Sequence, residues 1–235
     1  MKKTLSLIAF LAVAGLASTP AQAANRYISG LAGVSWFNDS DIDAANVYHP
    51  NYSGVIGFDR GFTGVAAYGC KTGNMRIEAE IGYQRNDIRS KVFYDSVSNG
   101  DEGLNGDIYA GNGKASIYSL MGNAFYDIPV GSGVEVYGMA GVGGAQVNVD
   151  MTVTDYYYTG SSIPELYYFN KKIHETTFAY QFGAGVSVPV SKGVKLDARY
   201  RYFAVTPFTI DTDYYGPMNV KASSSSVLLG LRVDL

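Results

Sequence analysis

Cysteine, histidine and tryptophan are nearly absent from this 235-residue sequence, which contains one, two and one of them. The single Cys70 cannot form an internal disulfide, so the fold does not rely on cross-links. The only histidines are His49 and His174, and neither shows a nucleophile–base constellation in its sequence neighbourhood. We therefore predict no catalytic residue, no cofactor and no enzymatic activity.

Long apolar runs are also absent after the first residues. Lys2 and Lys3 precede an apolar segment at 5–16, and Ala21-Gln22-Ala23 places small residues where a signal peptidase reads. The segment is shorter than the roughly 20 apolar residues of a spanning helix. The sequence predicts a secretory signal peptide at 1–23 and a single domain at 24–235. Membrane strands are not excluded, because lipid-facing and lumen-facing residues alternate along them.

Positive charge is scarce in the predicted mature chain. Without Lys2 and Lys3 it has 16 basic and 21 acidic residues, a net charge of −5. This balance argues against a nucleic-acid partner. The chain is rich instead in glycine (28), tyrosine (20) and phenylalanine (11). Tyrosine favours strands and membrane–water interfaces.

Several segments alternate with period two, which indicates β-strands. In 75–85, Met75 and Ile81 share the apolar face, whereas Arg76 shares the other face with glutamates. The segments at 178–188, 194–204 and 226–235 repeat the pattern. Four weaker segments follow at 26–37, 61–70, 114–127 and 134–149. The glycine-rich sequence of the last leaves open which of its faces is apolar.

The connections between these eight segments alternate strictly in length. Short turns are predicted at 71–74, 128–133 and 189–193, and long loops at 38–60, 87–113, 150–173 and 206–219. Short turns on one side and long loops on the other are typical of outer-membrane barrels. The predicted fold class is all-β, an eight-stranded antiparallel up-and-down transmembrane β-barrel.

The polar faces carry charges of both signs, beside many small residues. A crowded interior needs small side chains, so these faces fit the lumen of a barrel. Because their charges are of both signs and can pair, we predict an ion-pair network there. A soluble lipocalin-type barrel with a solvated polar face is the alternative. The predicted lumen network consists of Arg76, Glu78, Glu80, Asp127, Lys195, Asp197, Arg199, Arg201, Arg232 and Asp234.

The four loops together carry fourteen acidic and five basic residues, which is typical of a solvated surface. The sequence at 39–43 spaces three aspartates as in half of a calcium loop, but the glycine and distal glutamate of such loops are missing, so no metal site is predicted. One loop is rich in tyrosine. Its predicted aromatic patch, either a contact surface for an extracellular partner or the top of an extended hairpin, comprises Tyr156, Tyr157, Tyr158, Tyr167 and Tyr168.

Four short stretches resemble small Gram-negative outer-membrane barrels of the opacity and porin-like surface-antigen type, which share the architecture of the OmpA transmembrane domain. The stretches are Tyr27-Ile28-Ser29-Gly30 and the residues at 178–186, 196–203 and 227–232. The resemblance extends over essentially the whole mature chain. It implies the cell outer membrane as the location, with outer-membrane lipid, lipopolysaccharide and the barrel-assembly machinery as partners.

The resemblance is informative about architecture and poor for function, because this family includes adhesins, structural anchors and narrow pores. We therefore keep two hypotheses: a structural or surface-antigen protein with exposed loops, and a narrow porin-like channel gated by the lumen charges. Family barrels usually end in an aromatic residue that the insertion machinery recognises, whereas this chain ends in Leu235. Because Val233 and Leu235 keep the apolar alternation, we expect insertion to proceed.

Overall fold

A computed structural model describes residues 25–38, 40–44, 52–89, 92–95, 108–157, 165–212 and 216–235. The predicted signal peptide at 1–23 lies outside the described residues. Every regular element in the described ranges is a β-strand. Within these ranges, no helix is long and apolar enough to cross a membrane.

The described residues form thirteen strands, and each hydrogen-bonded pair among them is antiparallel. They are β1 (Asn25–Phe37), β2 (Ser40–Ala44), β3 (Tyr52–Phe58), β4 (Gly61–Thr72), β5 (Met75–Arg89), β6 (Val92–Asp95), β7 (Ile108–Gly131), β8 (Val134–Tyr157), β9 (Glu165–Ser191), β10 (Val194–Val205), β11 (Phe208–Thr212), β12 (Gly216–Val220) and β13 (Ser223–Asp234).

Eight of these strands close into a barrel. The order β5-β4-β1-β13-β10-β9-β8-β7 is completed by pairing of β7 with β5, so the ring has no open edge. β1 and β13 join the two ends of the chain: Ala32 lies opposite Leu229 in this pair, and Leu229 lies opposite Ala198 of β10 on its other side. The predicted eight-stranded barrel is confirmed.

The two ends of the barrel differ. At one end, here called the turn end, two-residue turns at 73–74, 132–133 and 192–193 join consecutive strands. Gly73, Gly133 and Gly193 have φ values of 58°, 75° and 73°, a conformation that side chains disfavour and glycine adopts freely. At the opposite loop end, the short strands β2, β3, β6, β11 and β12 extend the wall.

Three barrel strands are longer than the sequence pattern indicates. β7 and β8 have 24 residues each and β9 has 27, whereas a membrane crossing needs about 9–11. β8 and β9 remain paired as far as Tyr157 opposite Glu165. Because backbone pairing continues after the apolar alternation ends, the predicted loop at 150–173 is largely a projecting hairpin.

The two faces of the wall have opposite chemistry. On β5, Arg76, Glu78 and Glu80 are fully buried, whereas Met75 and Ile81 are 49% and 62% exposed. Charged side chains therefore point into the barrel, and apolar ones form its outer surface. In β8, whose orientation the sequence left open, the odd-numbered residues such as Tyr137 and Met139 point inward.

Exposed aromatic rings mark the two borders of the apolar surface. Tyr68 and Tyr126 lie on the outside near the turn end, whereas Phe62 and Tyr118 lie on the outside towards the loop end. An apolar band between two aromatic girdles is the surface of a barrel that crosses a bilayer. The lipocalin-type alternative places such residues inside, so the observed orientation excludes it.

Candidate functional site: the charged interior

The interior charges come from strands on different sides of the barrel. β5 supplies Arg76, Glu78 and Glu80, which share one face because side chains two residues apart in a strand point the same way. β10 supplies Arg199 and Arg201 from across the lumen. The barrel cross-section therefore brings together groups that are more than a hundred residues apart in sequence.

The middle of the lumen contains a connected set of ion pairs. Arg199 Nη1 lies 3.0 Å from Glu80 Oε2, and Arg199 Nη2 lies 3.7 Å from Glu78 Oε2. On the other side of Glu78, its Oε1 lies 3.3 Å from Arg76 Nη1. All four side chains are at most 1% exposed. Each buried charge thus has an opposite charge nearby, which offsets the cost of removing it from water.

Aromatic rings fill the space around the two arginines. The Arg76 guanidinium lies 4.2 Å from the Phe125 ring centroid and 4.8 Å from that of Tyr137. Arg199 contacts the same Phe125 ring at 5.0 Å. A desolvated guanidinium over a ring face gains a favourable cation–π interaction. Gly185 leaves room for Tyr137, because a Cβ there would lie 2.4 Å from its ring and hydroxyl atoms.

A second ion-pair cluster lies at the turn end, centred on Glu135. Its carboxylate is 2.7 Å from Lys71 Nζ, 2.8 Å from Lys195 Nζ and 2.7 Å from Arg232 Nη2. Lys71 also donates to Asp127 at 2.6 Å. Because Asp127 accepts from Arg76 Nε at 2.9 Å, this cluster continues into the middle of the lumen.

Neutral polar side chains link further strands. Gln181 donates from Nε2 to Glu80 at 3.0 Å and to Asn123 at 2.7 Å. The Ser224 hydroxyl on β13 donates to Gln84 Oε1 on β5 at 3.1 Å, which links strands from the two halves of the sequence. The hydroxyls of Tyr137 and Ser187 both donate to Asp197. These bonds hold the interior side chains in fixed positions.

The loop-end half of the interior contains an apolar cluster. Phe37, Ile88, Met121 and Phe203 are among its buried members. The remaining buried members are Ala115, Ile117, Ala145, Val147, Ala179 and Val205. Above the charged layers, the lumen is therefore packed with apolar side chains contributed by β1, β5, β7, β8, β9 and β10. Buried polar side chains, among them Ser35, Asn86 and Ser224, lie beside them.

The structure brings most of the predicted lumen residues together. Arg76, Glu78, Glu80, Asp127, Lys195, Arg199, Arg201 and Arg232 take part in its ion pairs, and Asp197 accepts hydrogen bonds there. Asp234 does not join them. Its side chain is exposed beyond the turn end, and among the described residues it forms no ion pair.

Sequence reasoning missed two central members of the network, Lys71 and Glu135. Both lie next to turns, where the alternating pattern is short. The sequence does contain a signal that Glu135 points inward. Glu135 lies on the same face of β8, that of the odd-numbered residues, as Tyr137 and Met139. That face could be recognised as internal only with the orientation of the strand known.

The candidate loop sites lie mostly beyond the described part. The side chains of the aspartates at 39–43, and those of Tyr156, Tyr157, Tyr158, Tyr167 and Tyr168, are outside the described residues. His174 is exposed on β9, and its Nδ1 lies 2.7 Å from Asn148 Oδ1. In the described ranges, no group of three histidine, cysteine, aspartate or glutamate side chains is placed to hold a metal.

A closed barrel with an apolar outer band, aromatic girdles and a charged interior defines the class of integral outer-membrane β-barrels. The sequence model of the family described as "Outer membrane protein beta-barrel domain" matches residues 8–232. The chain belongs to this family, and its location is the outer membrane. The turn end is therefore periplasmic and the loop end extracellular.

The chain is also similar to individual proteins. Uncharacterized proteins of Brucella suis and Brucella melitensis are 30% identical over 158 residues, which are 63% of this chain and 54% of each relative. The match thus spans about half the length of these curated relatives. The outer membrane protein OprG from Pseudomonas aeruginosa has a similar fold: TM-score 0.51, 13% identity, 91% of this chain and 97% of that one. Neisserial surface protein A is 20% identical, with a TM-score of 0.47, and covers 91% and 100%.

Proposed function

We propose that this outer-membrane barrel is a structural, surface-exposed protein that displays its loops outside the cell and performs no catalysis. Its interior then serves as a rigid internal frame for the wall. The observation that supports this proposal is the packing of the lumen. The turn-end cluster around Glu135, the ion pairs in the middle and the loop-end level, where apolar side chains lie beside polar ones, follow one another between the two mouths. The middle ion pairs of Arg76, Glu78, Glu80 and Arg199 are at most 1% exposed.

A frame of this kind suits the eight-stranded architecture. Eight strands enclose a space just wide enough for side chains to fill. Charges on opposite walls, such as Glu80 and Arg199, then tie the wall together from within. The long β8–β9 hairpin rises on this frame towards the medium, where we propose that it meets an extracellular partner. Insertion by the barrel-assembly machinery, and contact with lipopolysaccharide, belong to the same proposal.

The alternative function is a narrow channel gated by the lumen charges. It is favoured by one observation: the lumen carries charges of both signs that could exchange partners, since Glu78 lies within 4 Å of both Arg76 and Arg199. An ion path would also have to pass the apolar cluster at the loop end. The side chains of this cluster are buried and fill the lumen at that level, so we rank the channel second.

Planar bilayer recordings distinguish these two functions. Because its lumen is packed, we expect the purified wild-type protein to show no unitary conductance steps. Glu78→Ala and Glu78→Gln should be equally silent, since the apolar cluster remains. A conducting porin in the same bilayers controls for insertion. Reproducible steps in the wild type, altered in ion selectivity by Glu78→Gln, would contradict the structural proposal and support a gated channel.

A further inference from the structure

Three buried polar groups near the Tyr27 ring lack a hydrogen-bond partner among the described residues. They are Arg76 Nη2, Arg232 Nη1 and the Ser29 hydroxyl. Arg76 is fully buried, and Arg232 and Ser29 are 2% and 8% exposed. Buried polar groups in native proteins almost always have a partner, so three that lack one at the same place indicate a bound species. We call Ser29, Arg76 and Arg232 the Tyr27 site.

The strand register gathers these groups on one side of the Tyr27 ring. Ser29 of β1 lies directly opposite Arg232 of β13, which places their Cβ atoms about 5 Å apart. The guanidinium carbons of Arg232 and Arg76 lie 5.5 and 5.9 Å from the Tyr27 ring centroid. A Cβ at Gly69 would lie 2.5 Å from the Tyr27 Cζ and hydroxyl, so the barrel wall covers that side of the ring. Both guanidinium groups therefore approach the ring from the lumen.

The carboxylates around the Tyr27 site are already shared between cations. Glu135 lies within 2.8 Å of three basic nitrogens, Asp127 within 2.9 Å of two, and Glu78 within 3.7 Å of two. Glu78 Oε2 accepts no hydrogen bond, but it belongs to the ion pair with Arg199. The two guanidinium groups at the ring thus keep one free donor each, and their like charges repel each other at short range.

The chemistry of the Tyr27 site favours a small anion over a water molecule. An anion only accepts hydrogen bonds, so it can take one from each of the three groups, and bonds from guanidinium donors to an anion are strong. A water molecule must also find acceptors for its own two hydrogens, and the nearby carboxylates are already shared. An anion between the two guanidinium groups also offsets their mutual repulsion.

The Tyr27 site is accessible from the turn end. The side chains of Lys71, Lys195 and Glu135 are 22%, 20% and 14% exposed, so water reaches the layer of the lumen in which Glu135 contacts Arg232. The two lysines at this mouth favour the entry of an anion. The Asp234 carboxylate is exposed beyond the turns and forms no ion pair among the described residues.

We propose that one small inorganic anion, such as chloride, binds in the lumen between Arg76 and Arg232 and accepts a hydrogen bond from the Ser29 hydroxyl. The anion then stabilises the folded barrel, because it provides the partner that the three buried groups lack. This inference adds a ligand to the interior of the barrel. It does not depend on a partner for the extracellular loops.

The first test is the chloride dependence of stability. The protein in lipid vesicles is unfolded by urea at constant ionic strength, with chloride replaced by gluconate, a much larger organic anion. An ion that binds only the folded protein raises the folding equilibrium constant in proportion to its concentration above the Kd, so each tenfold rise in chloride should increase that constant by up to about tenfold. Unchanged stability between about 1 mM and about 500 mM chloride would overturn the proposal.

Arg232→Gln is the site variant, and Arg201→Gln is its matched control. Each removes one buried guanidinium group, and each leaves the nearby carboxylate with a cation: Glu135 keeps two lysines, and Glu80 keeps its other arginine. The chloride dependence should be lost in Arg232→Gln and retained in Arg201→Gln. Ser29→Ala keeps every charge and should weaken chloride binding about tenfold, which decides the question if Arg232→Gln does not fold. Equal chloride dependence in all these proteins would place the anion elsewhere and contradict the assignment.

Anomalous diffraction from crystals grown in bromide locates the ion directly. Bromide has the charge of chloride and a strong anomalous signal. We expect a peak within hydrogen-bond distance of both Arg76 Nη2 and Arg232 Nη1. Density at this place without an anomalous signal would show a water molecule there and would overturn the proposal.

Discussion

Arg199→Met is expected to lower the free energy of unfolding by about 3–5 kcal/mol, because it leaves buried carboxylates without their partner. Arg199 lies within 3.7 Å of both Glu78 and Glu80, and both carboxylates are fully buried. The substitution also removes the cation from the Phe125 ring. Methionine retains similar bulk, so the loss reflects charge more than volume. Urea unfolding of the protein in lipid vesicles measures the change.

The matched control is Lys172→Met, which breaks the pair with Asp150 on the exposed rim. Lys172 is 69% exposed, and exposed pairs contribute about 0–1 kcal/mol. The double variant Arg199→Met/Glu80→Gln should be less destabilised than the sum of its two single variants, because it no longer buries an unpaired carboxylate at position 80. Equal effects of Arg199→Met and Lys172→Met would show that the interior ion pairs do not stabilise the barrel.

Leu229→Arg is expected to lower the stability of the inserted barrel by about 2–4 kcal/mol, the cost of an arginine near the bilayer midplane. Leu229 is 56% exposed and lies between Ala32 and Ala198 in the middle of the apolar band. On a water-facing surface the same change would alter stability by no more than about 0.5 kcal/mol. The size of the stability change therefore shows whether hydrocarbon or water surrounds the barrel wall at Leu229.

Val190→Arg provides the control for depth. Val190 is 56% exposed as well, but it lies beside the turn at 192–193, where the wall leaves the hydrocarbon. An arginine near the interface costs about 0–1 kcal/mol. Measurements of the folded fraction should thus show a larger loss of stability for Leu229→Arg than for Val190→Arg. Comparable costs at 190 and 229 would contradict the placement of the membrane.

The strong alternation of some segments made their strands and orientation predictable. In 75–85 and 194–204, a shift by one residue would place several charges towards lipid, so the pattern itself defines the inner face. The segment at 134–149 lacks this information, because glycine fits on either face. Strand ends were also unpredictable. Beyond the membrane, β7, β8 and β9 are held by backbone pairing that leaves little periodic trace in their side chains.

The membership of the lumen network was predictable, but its pairing was not. Arg76, Glu78 and Arg199 stand on polar faces and were recognised, yet the choice of partners depends on which strands lie across the lumen. Glu135 holds three cations together and was missed, because it lies next to a turn. Asp234 follows the alternation formally, but the strand has left the enclosed interior at that point, so its carboxylate faces water.

The orientation of the barrel wall is tested most directly by quenching of single tryptophans by lipids with brominated acyl chains. In a Trp36→Phe background, Leu229→Trp and Ile81→Trp should be strongly quenched, because both positions face hydrocarbon. Phe125→Trp and Phe203→Trp should remain unquenched, since both rings lie inside the barrel. Quenching of the interior pair with protection of the outer pair would contradict the orientation on which the site and the proposed function depend.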